Sequence, residues 1–282
     1  MKILVTGGGG MLGTELRALA ERAGLDLIAL PRAAMDVTDP DAVRAGMEAH
    51  GPEAVVHAAA YTAVDRAESE PDTARRVNVE GSAHVASAAA AVGARVVYVS
   101  TDFVFDGTAR IPYAPGDPTG PASVYGRTKL AGEDAVRRAA QDHLVVRTSW
   151  VYGAGGGNFV DAILRRARTG AALRVVDDQH GRPTWARDLA EGIVALIGAD
   201  ARGTLHLSGG GPVVTWCEVA RTALRLAGLD VPVEPVTTEA WGAPAPRPRY
   251  SALDCTATEA LLGEPLRPWP VALAGYLAGR TS

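Results

Sequence analysis

The sequence predicts an α/β fold: a doubly wound parallel sheet carrying a smaller C-terminal lobe. Three observations predict it. Short apolar runs alternate with longer amphipathic stretches through residue 150, the pattern of parallel strands joined by crossover helices. The first of these runs ends in a cluster of glycines that opens directly into a helix. Finally, 282 residues that are 47% hydrophobic and 21% charged suit one large domain or two lobes sharing a core.

Lys2–Thr6 is a short buried strand, followed by Gly7-Gly8-Gly9-Gly10-Met11-Leu12-Gly13 and a helix from Thr14 to about Ala23. Gly7, Gly10 and Gly13 form Gly-x-x-Gly-x-x-Gly: the first lets the chain turn, the second lets backbone approach a pyrophosphate, and the third lets helix pack on strand. The helix N-terminus offers free N–H groups and a positive dipole end to the phosphates. Strand, glycines and helix in that order read as a dinucleotide site. A second strand, Asp26–Leu30, ends in Leu30-Pro31-Arg32. An NAD-preferring site commonly has an acidic residue here for the ribose 2′-OH. Arg32 instead offers a guanidinium to a 2′-phosphate, so NADPH is the expected cofactor, with NADH the alternative. Asp36 and Val37 come near the adenine. Thr38 or Asp39 caps a helix running to Ala49, with Pro40 at its first position.

Glu53–His57 is a third strand, ending in Ala58-Ala59-Ala60-Tyr61-Thr62, whose small side chains let a flat cofactor pass close to backbone. Thr73 to Val92 reads as one helix. Arg95–Val99 is a strand leading to Ser100-Thr101-Asp102, which places the Thr101 hydroxyl at a strand's carboxyl end, where ligands bind in open α/β sheets. The Pro/Gly-rich stretch 111–122 is long enough for a lid or substrate loop. Ser123-Val124-Tyr125-Gly126-Arg127-Thr128-Lys129 then opens a helix running to about Ala140. Tyr125 and Lys129, four apart, share one face. A free phenol has a pKa of about 10, and a nearby ammonium lowers it toward the range where proton transfer is efficient. Thr101, Tyr125 and Lys129 together read as a ketone-reduction site.

His143–Ser149 is a further strand, followed by Trp150. The C-terminal part reads as a helix at 158–169, a strand at 172–176, a polar loop at 177–184, a helix at 185–197 and a strand at 203–207. Capping boxes at Thr215–Glu218 and Thr256–Glu259 each start a helix. Residues 1–150 are the expected nucleotide-binding domain, with about 184–217 returning to it, and 151–282 are mainly a substrate-binding lobe. Net charge is −4 with no Lys/Arg-rich run, which speaks against nucleic acid as a partner. Cys217 and Cys255 have no metal-like spacing and read as free thiols of a reducing cytoplasm. The six histidines form no cluster, so no metal is expected. No run reaches the length of a membrane span, and a strand within three residues of the N-terminus is not a signal peptide.

Six segments together resemble the dTDP-4-dehydrorhamnose reductase family, extended short-chain dehydrogenase/reductases of Rossmann type: 6–13, 58–65, 100–107, 125–129, 147–152 and 179–184. The resemblance covers nearly the whole chain. It implies NAD(P)H-dependent reduction of the C4 ketone of dTDP-4-dehydro-L-rhamnose, giving dTDP-L-rhamnose. It makes Tyr125 the general acid and Lys129 its tuner, also bonded to the nicotinamide ribose, with Thr101 holding the substrate carbonyl. Gly10, Met11 and Leu12 would line the pyrophosphate, and Ala58, Ala59, Ala60 and Tyr61 the cofactor cleft. Thr62, Asp102, Phe103 and Trp150 would face the dTDP-sugar. His57 stands where the family often has Asn, and Phe103 where it often has Tyr. Some relatives dimerise through Mg²⁺; Glu15 matches one of their carboxylates, but Arg187 stands at another, so the expectation is a metal-free monomer or homodimer. Two alternatives accompany this reading: a reductase of another dTDP-4-keto-6-deoxyhexose, which Phe103 keeps open, and a non-catalytic regulatory subunit of the same fold.

Overall fold

A computed structural model of the chain describes residues 1–279. β1 (Ile3–Thr6) leads into α1 (Met11–Ala23), β2 (Leu27–Leu30) into α2 (Pro40–His50), and β3 (Ala54–His57) into α3 (Val64–Ser69), α4 (Pro71–Arg75) and α5 (Gly81–Ala91). β4 (Arg95–Thr101) passes through a long loop into α6 (Val124–Ala139), and β5 (His143–Thr148) follows. Every residue of β1 and β3 is buried, as strands covered by helices on both faces are.

The rest of the chain supplies β6 (Val151–Tyr152), α7 (Phe159–Ala167), β7 (Leu173–Val176), β8 (His180–Gly181), β9 (Thr184–Trp185), α8 (Ala186–Gly198) and β10 (Gly203–His206). It ends with β11 (Val214–Thr215), α9 (Trp216–Leu226), β12 (Val233–Val236), α10 (Thr238–Trp241), α11 (Thr256–Leu262) and α12 (Trp269–Ala278).

The main sheet is parallel throughout, in the order β10-β5-β4-β3-β1-β2. The chain winds outward in one direction from β1 to β2 and in the other from β3 to β10. A crevice therefore opens between the carboxyl ends of β1 and β3, the switch point where ligands of such sheets bind. Alternation along each strand divides the core. Ile3, Val5 and Val56 pack with Leu16 of α1 and Leu189 and Ile193 of α8. Leu4 and Val55 face the other way, onto Val43 and Met47 of α2, Val85 of α5 and Val136 of α6. A separate core, with Tyr152, Leu173, Leu224 and Trp269 among its members, holds the C-terminal lobe together. Among the described residues, no helix is long and apolar enough to cross a membrane.

Several elements depart from the sequence expectation. α1 starts at Met11 rather than Thr14, because Gly10 serves as its N-cap. The single helix expected over 73–92 is interrupted by a π-helical turn, Arg76–Glu80, which carries Asn78 inward to 1% exposure. Long-range hydrogen bonds of Asn78 outweigh the regular helical pattern there. The loop expected at 177–184 contains the two-residue strand β8, and β9 begins at its last residue and takes Trp185, so that α8 starts at Ala186 rather than at Trp185. The capping box at Thr215 is present, with Thr215 Oγ1 accepting from the Glu218 N–H at 3.2 Å and Glu218 Oε2 from the Thr215 N–H at 2.7 Å. The one expected at Thr256 is not: Thr256 lies inside α11, its hydroxyl donates to Asp254 at 2.6 Å, and Glu259 accepts from the Leu266 N–H at 3.0 Å. Sequence reasoning assigned neither β12 nor α12; β12 is ordered by parallel pairing with β7.

Candidate active site

All the residues singled out from the sequence as catalytic, cofactor-binding or substrate-facing line one cleft of about 750 Å³ at the carboxyl ends of β1, β3 and β4. Its phosphate end is a backbone cradle. Gly7 turns the chain with φ +71°, a conformation L side chains rarely adopt, and a Cβ there would lie 2.7 Å from the Ala59 nitrogen. A Cβ on Gly13 would meet Gly8 Cα at 2.6 Å, so α1 can approach the turn this closely only without a side chain. Gly10 caps α1 without a side-chain hydrogen bond, and the first turn contains no acidic residue. First-turn N–H groups with no side-chain acceptor, beside a glycine floor, fit a pyrophosphate. Gly155, Gly156 and Gly157 line the cleft opposite Met11, a second glycine loop to which sequence reasoning assigned no role. Further along the wall, Arg32 donates from Nε to Asp36 Oδ2 at 2.9 Å, and Asp36 also accepts from the Thr38 N–H and hydroxyl.

A chain of buried hydrogen bonds holds the wall from Ala58 to Tyr61. The Ser82 hydroxyl donates to the Asn78 carbonyl at 2.7 Å, so the His57 Nε2–H donates to Ser82 at 3.1 Å. Nδ1 therefore accepts from the Thr6 hydroxyl at 2.7 Å, and Thr6 Oγ1 accepts from the Ala59 N–H at 3.2 Å. Burial, and then the charge of Lys129, push the His57 pKa down to about 3, so the imidazole is neutral. The Asn78 side chain accepts from the Tyr61 N–H at 2.8 Å and donates to the Tyr61 carbonyl at 3.2 Å and to Thr128 at 3.0 Å. The Tyr61 phenol turns outward and donates to Glu70 at 2.6 Å.

Tyr125 and Lys129 face Thr101 because α6 is anchored to the sheet. Ser123 caps α6 by accepting from the Gly126 N–H at 3.1 Å. One turn beyond Lys129, the fully buried Glu133 accepts a bidentate pair from Arg147 of β5 at 2.9 and 2.8 Å. It also accepts from Ser100 of β4 at 2.6 Å and from Arg137 at 2.8 Å. Burial raises the Glu133 pKa, but Arg147, the Ser100 hydroxyl and Arg137 outweigh burial and hold it below the usual range. Lys129 Nζ donates to the Val99 carbonyl at 2.8 Å and lies 4.0 Å from the centre of the Tyr98 ring. Burial pushes its pKa down to about 7, opposed by the charge of Glu133.

The Tyr125 phenol is pushed up to about 12 by burial first, with the charge of Asp102 adding to the rise and a hydrogen bond with Thr101 opposing it. The lowering expected from Lys129 is thus not what the cleft shows. Nζ is committed to Val99 and Tyr98, and burial costs the Lys129 ammonium much of its charge near neutrality. The Thr101 hydroxyl beside the phenol donates to Asp102 Oδ1 at 3.0 Å and accepts from the Phe103 N–H at 3.2 Å.

The substrate end is aromatic and acidic. Phe103 meets Tyr125 edge-on at 5.5 Å. Asp102 is 1% exposed; burial pushes its carboxyl up to about 6 against hydrogen bonds from Ser251 and Thr101, and Oδ2 has no partner among the described residues. Trp150 has φ +50° and stacks on Trp216 at 3.7 Å, while Phe159 leans on Trp216 at 4.5 Å. Gly181 makes room for this stack, since a Cβ there would lie 2.6 Å from the Trp150 ring. Thr62 lies on the exposed rim. Sequence reasoning missed Trp216, Thr148, Leu189 and Arg247 as lining residues, and no local pattern marks them. Away from the cleft, Arg187 pairs with Glu191 at 3.0 Å and its charge acts on Glu15. Among the described residues, no group of three or more His, Cys, Asp or Glu is placed to hold a metal ion.

Comparison with known proteins points the same way. The family model for the RmlD substrate binding domain matches residues 1–281. A dTDP-4-dehydrorhamnose reductase from Streptomyces griseus is 48% identical over 277 residues, which cover 96% of this chain and 91% of that protein. A dTDP-4-keto-6-deoxy-D-glucose reductase from Streptomyces niveus is 41% identical over 272 residues, covering 96% and 94% respectively. The crystal structure of dTDP-4-dehydrorhamnose reductase from Bacillus anthracis in complex with NADP superposes with a TM-score of 0.95 at 35% identity, covering 99% of this chain and 100% of that one.

Proposed function

The chain belongs to the RmlD substrate binding domain family, and from that premise we propose that it reduces the C4 ketone of dTDP-4-dehydro-L-rhamnose with NADPH, giving dTDP-L-rhamnose. The observation that carries the reading is the convergence of Thr101, Tyr125 and Lys129 on one cleft that also contains the glycine cradle. NADPH, when bound on the cradle, supplies a hydride to the ketone carbon. The side chains orient the ketone and move the proton. The Tyr125 phenol protonates the ketone oxygen while the Thr101 hydroxyl, which otherwise donates to Asp102 Oδ1 at 3.0 Å, holds that same oxygen. Lys129, kept partly charged by Glu133, balances the phenolate left behind. Asp102 Oδ2 meets a sugar hydroxyl, and the low-dielectric surroundings of these groups strengthen each contact. Residues 1–150, with about 184–217, serve the cofactor and the rest of 151–282 the sugar nucleotide. We read the enzyme as cytoplasmic and as a monomer or homodimer.

The test is NADPH oxidation by the purified protein with enzymatically made dTDP-4-dehydrorhamnose, repeated with NADH. Tyr125→Phe is expected to lower turnover by about a hundredfold or more while leaving NADPH affinity nearly intact. Wild-type-like turnover in that variant overturns the assignment. A second reading, reduction of another dTDP-4-keto-6-deoxyhexose, is favoured by Phe103 and by the likeness to the Streptomyces niveus protein. Relative kcat/KM across a panel of keto-sugar nucleotides separates the two.

A further inference from the structure

The Thr101 hydroxyl has one hydrogen to give, and in the reaction two acceptors compete for it. Its oxygen is fixed, because it caps the 3₁₀ turn Asp102–Val104 by accepting from the Phe103 N–H at 3.2 Å. Its hydrogen goes to Asp102 Oδ1 at 3.0 Å. A hydroxyl offers one donor and two acceptor positions. Donation to a ketone oxygen therefore requires that the bond to Asp102 either break or reverse. Reversal needs a proton on Asp102 Oδ1, which then donates to Thr101 Oγ1 and releases the Thr101 hydrogen to the cleft. The second acceptor position of Thr101 takes that bond while the Phe103 N–H keeps the first.

The surroundings of Asp102 favour reversal. The residue is 1% exposed, and Oδ2 has no partner among the described residues. Burial pushes the carboxyl up to about 6, with the hydroxyls of Ser251 and Thr101 opposing it, so its proton exchanges near neutrality. The titratable or charged groups that line the cleft from the elements around it are Tyr125 and Lys129 of α6, Tyr61 after β3, and Arg247 on the segment that brings Ser251. Tyr61 turns its phenol to Glu70 at 2.6 Å, and Arg247 pairs with Asp65 at 2.9 Å. Lys129 titrates in the same range, at about 7. Tyr125 feels Asp102 directly: the carboxylate charge adds to the rise in the phenol's pKa, so a neutral Asp102 makes the phenol the better proton donor. Freeing the Thr101 hydrogen and sharpening the phenol thus act in the same direction.

We propose that Asp102 is a positioning residue whose protonation turns the Thr101 hydroxyl: as a carboxylate it takes the hydroxyl's hydrogen, and as an acid it gives its own and directs the hydroxyl to the ketone oxygen. Asp102 keeps its proton through the cycle, since the proton that ends on the sugar comes from Tyr125. This rests on the reading above that Thr101 and Tyr125 serve a ketone reduction. The test is kcat/KM for dTDP-4-dehydrorhamnose at saturating NADPH, followed from about pH 5.5 to about pH 8, in the wild type and in Asp102→Asn, whose amide N–H donates to Thr101 at every pH. The measure is the fall across that range within each protein, which is independent of the level of activity. The fall in the wild type is expected to exceed that in Asp102→Asn by about tenfold or more, the fall that remains in the variant being that of Lys129. Ser251→Ala removes a hydroxyl that favours the carboxylate, and is expected to move the Asp102 limb upward by about one pH unit, the size of a hydrogen bond to a charged group. Equal falls in the wild type and Asp102→Asn overturn the proposal and leave the reductase standing. If Asp102→Asn is too slow or too unstable to measure, a limb that stays in place in Ser251→Ala overturns it. Failure of the wild type to oxidise NADPH with this sugar at any pH would instead refute the reading on which the proposal rests.

Discussion

Replacing His57 with Asn should make the fold less sensitive to acid. His57 is fully buried, and both ring nitrogens are in hydrogen bonds whose direction is set by their neighbours. Protonating Nδ1 would set its new hydrogen against the Thr6 hydroxyl, whose oxygen already accepts from the Ala59 N–H. The pKa falls from 6.5 to about 3, burial being the larger cause and the charge of Lys129 the second. Because the folded-state value lies below the unfolded one, the unfolded chain binds the proton more readily. The contribution of neutral His57 is fully present above pH 6.5 and is lost as pH falls from there toward about 3. At about 1.4 kcal/mol per pH unit, the full loss is on the order of 5 kcal/mol, of which about 2 kcal/mol has gone near pH 5. Asn does not titrate, so urea-unfolding free energies near pH 7 and near pH 5 should fall by about 2 kcal/mol more in the wild type than in the variant. His206, also held down by burial and by Arg147, adds an acid-dependent loss that both proteins share, so the difference isolates His57. Equal losses in the two proteins would refute the claim that His57 is neutral by burial.

Two further outcomes follow from the cleft. Arg32→Ala should weaken NADPH by about tenfold and leave NADH almost unchanged, the low end expected for a charge-assisted contact at a side chain that is 80% exposed; parallel loss with both cofactors would show that Arg32 does not meet a 2′-phosphate. Gly181→Ala drives a Cβ into the Trp150 ring, and the ring can yield only by leaving its stack on Trp216. Overpacking of this kind costs about 1–3 kcal/mol; a lower melting temperature and a raised KM for the sugar nucleotide are expected, with NADPH affinity unchanged, whereas an unaffected KM would remove Trp150 from the substrate wall.

Much of the cofactor half was legible in the chain itself, because its determinants are local. The turn from β1 into α1, the Asp39 cap with Pro40 behind it and the Ser100-Thr101-Asp102 strand end depend on residues within a few positions of one another, and sequence spacing reports those interactions directly. The same holds for the four-residue spacing that puts Tyr125 and Lys129 on one face of α6. Tertiary structure decided what each group meets. Lys129 is held by Val99 and Tyr98 rather than aimed at the phenol, the helix after β3 yields to the bonds of Asn78, and Thr256 sits inside a helix it was expected to cap. Arg247 reaches Asp65 across 182 positions of sequence. Such contacts depend on how far burial strips water from a charge and on which distant group then satisfies it. Neither quantity exists until the sheet has brought its strand ends together.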